Sequence, residues 1–343
     1  MTNFHCRSSY DTIHLVGPGA VGRALLHHLA GSRRRLVAVT DSTATLADAA
    51  GLDPLAVVRW KAAGRPLAAH PGAVRADAAT VLHDVDADTV VDATSSDLDR
   101  RGWTAALDDV LERGACVALA AKAALCEAAA TWLSGPHAER VGLNAVLGGT
   151  GRDFAADLPE LRRYGQGAVV VGNASTTAII ETIERGGTLA DGIAAAARLG
   201  YLEPDPEQDF RGLDAAVKLA IVAGALTGRR IDPRSIPADD VRSLDIAEVR
   251  ARVRRNETTR LVGRLAADGT VRVAYEAVSR HSLLAAPCGQ VVYEYRLRRN
   301  ERRLHVGTGL GAAATAAALW ADTAVLGAGV AARALHVGLA VAR

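Results

Sequence analysis

Residues 12–30 read TIHLVGPGAVGRALLHHLA. An apolar run of strand length, TIHLV, gives way to Gly17, Gly19 and Gly22 and then to a helical pattern of apolar residues. That order has a physical reason. The first glycine makes the tight turn, the second lets backbone approach a pyrophosphate, and the third lets the helix close on the strand. The start of the helix offers unpaired N–H groups and the positive end of its dipole to the phosphates. LVAVT follows at 36–40 as a second strand and ends at Asp41, nineteen residues after Gly22. A carboxylate there accepts hydrogen bonds from ribose hydroxyls and repels a 2′-phosphate, so NAD is expected, with NADP as the alternative.

Two further strand patterns, TVVDAT ending at Thr94 and ACVALA running into Ala121-Lys122, deliver their last residues to the same carboxyl edge. In an open parallel sheet that edge is where ligands bind. The candidate cofactor contacts of the first half are Gly17, Gly19, Ala20, Val21, Gly22, Asp41, Thr94 and Lys122. The competing reading of Lys122 is a plain surface lysine.

The chain has 343 residues, 49% of them hydrophobic, which is enough for two cores or one large α/β domain. A net charge of +2 gives no reason to expect nucleic acid or an anionic membrane as partner. The short run Arg33–Arg35 reads as a solvated turn. Cys6, Cys116, Cys126 and Cys288 form no CxxC pair, and no histidine cluster has zinc-ligand spacing, so no metal is expected and a reducing cytoplasm fits. The N-terminus MTNFHCRSS lacks the apolar core of a secretory signal, and Asp322 and Arg333 interrupt the apolar tail, so no membrane span is expected.

After Gly142 the character changes. LNAVLGGTGRDF is loop-like, AVVVGNASTTAIIETI reads as a strand running into a helix, and TLADGIAAAARLG reads as a helix capped by Thr188 and stopped by Gly200. GYLEPDPEQDFRGLDAAVK follows at 200–218. Pro204 and Pro206 forbid a helix interior, so a loop is expected until a helix begins at about Gly212. That helix places Asp214 and Lys218 four apart on one face. Taken alone, the stretch could be a solvated acidic turn followed by a surface ion pair.

The same stretch resembles the homoserine dehydrogenases, in the short form without a C-terminal regulatory ACT domain. Their signature GYxExDPxxDxxGxDxxxK is met at Gly200, Tyr201, Glu203, Asp205, Pro206, Asp209, Gly212, Asp214 and Lys218. DSTATLADAAGLDPLAVVRWKAAG at 41–64 and GLGAAATAAALWAD at 309–322 resemble two more segments of the family. The resemblance implies hydride transfer between L-homoserine and L-aspartate 4-semialdehyde. It implies that Glu203 and Asp209 hold the substrate's ammonium group, that Tyr201 lines the pocket, and that Ser175 and Thr176 sit at the turn taking its carboxylate. Asp214, Lys218 and Lys122 would surround the aldehyde oxygen, where an alkoxide must be stabilised and protonated. Gly309 and Thr315 would lie near the cofactor.

The implied architecture is α/β: a Rossmann-type doubly wound parallel sheet of residues 1–142 plus 308–343, with an α+β catalytic and dimerisation domain of residues 143–307 that forms a homodimer. Several positions depart from the family pattern. Ala121 replaces an asparagine, Leu143 replaces a cation-binding glutamate, so sodium is not expected, Gly151 replaces a proline, and the family's N-G-T-T-N appears as Asn173-Ala174-Ser175-Thr176-Thr177. Two alternatives remain open at this point: a paralogue acting on a related amino alcohol or amino aldehyde, and a non-catalytic nucleotide-binding relative.

Overall fold

The computed structural model of the chain describes residues 12–75, 77–100, 102–202 and 206–341, with side chains through Leu326. Glu203 and Asp205 therefore lie outside the described residues. The chain divides into two compact units: Met1–Ala124 with Trp132–Arg152 and Gly311–Arg343, and Leu125–Thr131 with Asp153–Leu310. The boundary read after Gly142 thus falls inside the first unit, which continues to Arg152.

In the first unit the opening motif forms strand β1 (Thr12–Val16) and helix α1 (Ala20–Ala30), followed by β2 (Arg35–Thr40), β3 (Thr45–Leu52), α2 (Pro54–Ala62), β4 (Ala73–Val74) and α3 (Ala78–Asp84). Next come β5 (Thr89–Asp92), α4 (Trp103–Glu112), β6 (Cys116–Leu119) and β7 (Val141–Gly142), while α5 (Ala123–Trp132), which lies between β6 and β7 in the chain, has its residues Leu125–Thr131 in the second unit. The sheet order is β4-β3-β2-β1-β5-β6-β7. Strands β2, β1, β5, β6 and β7 run parallel, as the strand–helix alternation requires. At one edge β3 and β4 extend the parallel sheet by antiparallel pairing. The core joins Ile13 and Leu15 of β1 to Leu25, Leu26 and Leu29 of α1 and to Ala316 and Leu319 of the last helix.

Helix α6 (Gly151–Tyr164) leads into the second unit. There the chain forms β8 (Gly165–Val171), α7 (Ala174–Glu184), α8 (Leu189–Arg198), α9 (Pro206–Phe210), α10 (Leu213–Thr227) and α11 (Ile246–Arg254). Four strands complete a five-stranded antiparallel sheet: β9 (Glu257–Leu265), β10 (Val271–Ser279), β11 (Gln290–Leu297) and β12 (Arg302–Thr308), in the order β10-β9-β8-β11-β12. Helix α12 (Ala312–Val341) then belongs to the first unit and packs beside α1. Helix α8 has the expected Thr188 capping box with Asp191, and Gly200 ends it with φ +70°. Helix α9 corrects the reading of a loop up to Gly212. Pro206 opens this short helix, since a proline in the first turn gives up no intrahelical bond and is preset in φ.

Candidate functional site

Each half of the glycine motif can be checked against its steric reason. Gly17 has φ +88°, and a Cβ there would stand 2.6 Å from the Ala93 backbone. At Gly22 a Cβ would fall 2.3 Å from the Gly17 carbonyl oxygen, so only glycine lets α1 close on the turn. A Cβ at Gly19 meets nothing within 4 Å. The middle glycine therefore faces open space at the N-terminus of α1, where Ala20 and Val21 begin the helix and no side chain caps it. Crowding at the first and third glycines with room at the second is the shape a dinucleotide pyrophosphate needs.

The neighbouring turns are braced from below. Asp92, fully buried at the end of β5, accepts from the Thr94 N–H at 3.0 Å, the Thr94 hydroxyl at 2.6 Å and Trp103 Nε1 at 2.7 Å. Arg100 lies 3.4 Å from the Trp103 ring centroid and donates to the Thr94 hydroxyl at 3.1 Å. Lys122 follows β6 at the same edge, its backbone N–H donating to Ser96 Oγ at 3.1 Å. Thr315, in the first turn of α12, donates its hydroxyl back to the Gly311 carbonyl.

Asp41 stands against a basic side chain from a later helix. Lys61 of α2 reaches its Oδ2 at 2.6 Å, and the Leu67 N–H donates to the same oxygen at 2.9 Å. Its Oδ1 accepts from the Thr43 N–H and hydroxyl and from the Ala44 N–H. Burial works to raise its pKa, but Lys61, Thr43 and Leu67 outweigh that and hold it at about 2. The carboxylate is a permanent anion that organises the β2–β3 turn before any ribose arrives.

In the second unit, the NASTT turn between β8 and α7 is the hub. Asn173 caps α7, its Oδ1 accepting from the Thr176 N–H and hydroxyl and from the Ser175 hydroxyl. Its Nδ2 donates to Asp214 Oδ2 at 3.4 Å. Lys218 donates to that same oxygen at 2.8 Å and to the Gly172 carbonyl at 2.8 Å. The single Ser175 hydroxyl proton is shared between Asn173 Oδ1 and Asp209 Oδ1, which lies 2.9 Å away on a carboxylate 6% exposed. Asp209, Ser175, Asn173, Asp214 and Lys218 thus form one connected polar chain. Ser175 and Thr176 are buried and turned into it, so the expectation that they line the substrate-carboxylate turn is met by no open hydroxyl. Tyr201 packs against the cluster of Ile179, Ile180 and Phe210 and hydrogen-bonds the Cys288 thiol. Gly309 is exposed after β12 and belongs to the second unit. In the sequence, Asn173 carries one local signal, an asparagine at an N-cap position directly after a β-strand.

The comparisons bear on this geometry. The family model described as homoserine dehydrogenase matches residues 167–324. Residues 167–324 belong to the homoserine dehydrogenase family. Across more of the chain, the NAD(+)-dependent homoserine dehydrogenase of Pseudomonas canavaninivorans is 26% identical over 288 residues, 76% of this chain and 80% of its own. The homoserine dehydrogenase of Methanocaldococcus jannaschii is 26% identical over 328 residues, covering 90% and 96%. A hyperthermophilic archaeal homoserine dehydrogenase solved with NADPH has the same fold, with a TM-score of 0.74 at 23% identity over 91% of this chain and 95% of that one.

Against the homoserine dehydrogenase pattern, the departure at Gly151 gains a physical account. A Cβ at Gly151 would lie 2.3 Å from the Leu143 carbonyl oxygen, so the turn has closed to a distance that the family's proline would not permit. No group of three or more histidine, cysteine, aspartate or glutamate side chains could hold a metal among the described residues. No described helix is long and apolar enough to cross a membrane.

Proposed function

We propose that the chain is a homoserine dehydrogenase, interconverting L-homoserine and L-aspartate 4-semialdehyde with NAD or NADP. The observation that carries the reading is the Asp214–Lys218 pair, tied to the Gly172 carbonyl and to Asn173 within the matched segment. The cofactor cradle at Gly17–Gly22 fits a dinucleotide, and a bound nicotinamide supplies or takes up the hydride. Lys218 stabilises the developing alkoxide and holds the proton that the aldehyde oxygen takes. Asp214 accepts from the Lys218 ammonium at 2.8 Å and holds it in place. Asp209 and Glu203 are assigned to the substrate's ammonium group, and Lys122 is the second catalytic candidate.

The reading includes a homodimer and a cytoplasmic place in amino-acid biosynthesis. Leu304 and Val306, 40% and 50% exposed on edge strand β12, favour a second copy on that edge. Light scattering of the purified protein tests it, and a monomer would remove it. Initial rates with L-homoserine and each cofactor test the activity. Turnover of a related amino alcohol in place of homoserine would move the assignment to a paralogue.

A further inference from the structure

Among the described residues, the buried polar atoms of the second unit without a protein partner include the hydroxyls of Tyr293 and Tyr295 and Nδ1 of His305. These three belong to one face of one sheet. Tyr293 pairs with Val170 of β8 and with His305 of β12, and Val170 pairs with Gly263 of β9. A Cβ at Gly263 would touch Leu219 of α10 and Val170, so this row faces α10. Tyr295, two residues on, shares that face. Its ring is 6.5 Å from that of Tyr293, 5.1 Å from His305 and 5.6 Å from Phe154 of α6.

The ends of this row are carboxylates. At one end the Asp214 charge acts on Tyr293, whose pKa burial and Asp214 together raise. At the other, His305 Nε2 lies 2.9 Å from Asp157 Oδ2. Asp157 is 27% exposed and pairs with Arg303 at 3.4 Å. Burial, with Tyr293 and Asp157, likewise raises the Tyr295 pKa, so both phenols stay protonated and can only donate or relay. A buried hydroxyl without a protein partner is destabilising, and ordered water is the usual remedy where several polar atoms converge.

We infer that Tyr293, Tyr295 and His305 line a hydrated seam that carries protons between Asp157 at the surface and Asp214 at the reaction site. The inference rests on the dehydrogenase reading for its chemistry. Reduction consumes one proton. A bound nicotinamide would supply the hydride to the aldehyde carbon, and the oxygen that gains the C=O π electrons would take its proton from the Lys218 ammonium. The Lys218 amine regains one through Asp214, which draws it from the nearest seam water. Each water and phenol passes one O–H proton along, and solvent at Asp157 supplies the last, so no tyrosinate forms. Substrate on the open side of Asp214 displaces the water there, and the seam enters from the sheet side.

A high-resolution crystal structure of the whole protein is expected to show ordered water within hydrogen-bond distance of at least two of the three atoms. A dry seam overturns the inference. Tyr293→Phe, which removes one oxygen and keeps the ring, is expected to lower kcat for aldehyde reduction about tenfold, a fraction of a full acid–base contribution, with KM unchanged. It should also raise the solvent deuterium isotope effect and be partly rescued by a small buffer acid such as imidazole. His305→Gln should act in the same direction. Wild-type kcat and isotope effect in both variants overturn the relay. Wild-type protein inert toward homoserine refutes the dehydrogenase reading alone, and the crystallographic waters then decide the seam.

Discussion

Asp322 of α12 is 2% exposed and accepts from the Asn144 N–H at 2.8 Å. A Cβ at Gly142 would stand 2.7 Å from its own Cβ, so β7 and α12 are pressed together here. Burial pushes its pKa from 3.8 up to about 7, with the Asn144 N–H and the Arg152 charge offsetting part of that. The sign follows from linkage: a raised folded-state pKa means stability that is complete below about pH 4 and is lost as pH rises toward 7. With each tenfold change in proton affinity worth about 1.4 kcal/mol, the loss has a ceiling of about 4 kcal/mol. Asp322→Asn keeps an acceptor for Asn144 and cannot ionise. Urea unfolding of both proteins from pH 4 to 8 should therefore show the variant gaining on wild type as pH rises, with the difference levelling off above about pH 8. A difference independent of pH would refute the account of Asp322 as a group buried against its charge.

Lys218→Ala should lower kcat about a hundredfold or more, the scale of losing an acid–base or electrostatic group, with NAD affinity unchanged by fluorescence titration. A surface ion pair would cost at most about 1 kcal/mol of stability and leave turnover intact. Asn173→Ala removes the α7 cap and leaves the buried Thr176 hydroxyl short of an acceptor, so thermal melting should report a loss of about 2–4 kcal/mol. Asp41→Asn should shift the ratio of kcat/KM for NAD over NADP toward NADP about tenfold, the size of one weakened charge interaction, because the Lys61 ammonium loses its counter-charge. An unchanged ratio would confine Asp41 to shaping the β2–β3 turn.

What could be read in advance was what local sterics dictate. The strand–glycine–helix order leaves few alternatives once Gly17 and Gly22 must sit against backbone, and Thr188 with Asp191 closes its capping box within four residues. What escaped depends on distant partners. Strand β3, TLADAAGL, carries an alanine-rich run with no alternation, and it becomes a strand by pairing with β2 across a short turn. Lys61 is twenty residues from Asp41, and nothing in the spacing announces that α2 returns to that carboxylate. Tyr293 and His305 meet only through the β11–β12 register.

The candidate site was legible as a set of residue types but not as a circuit. From spacing alone, Asp214 and Lys218 are a helical pair indistinguishable from a solvated one. The structure separates the two cases by what else the lysine touches. Lys218 is 14% exposed and spends one N–H on Asp214 and a second on the Gly172 carbonyl, at the end of the strand that Asn173 joins to α7. Among the described residues its third N–H has no partner. A solvated lysine samples many rotamers, whereas this one is fixed by two acceptors on different elements, and the ordering cost that an exposed pair would pay on binding has already been met in the fold. The remaining donor points from a held ammonium, which is the condition for acting on an oxygen that becomes charged only in the transition state.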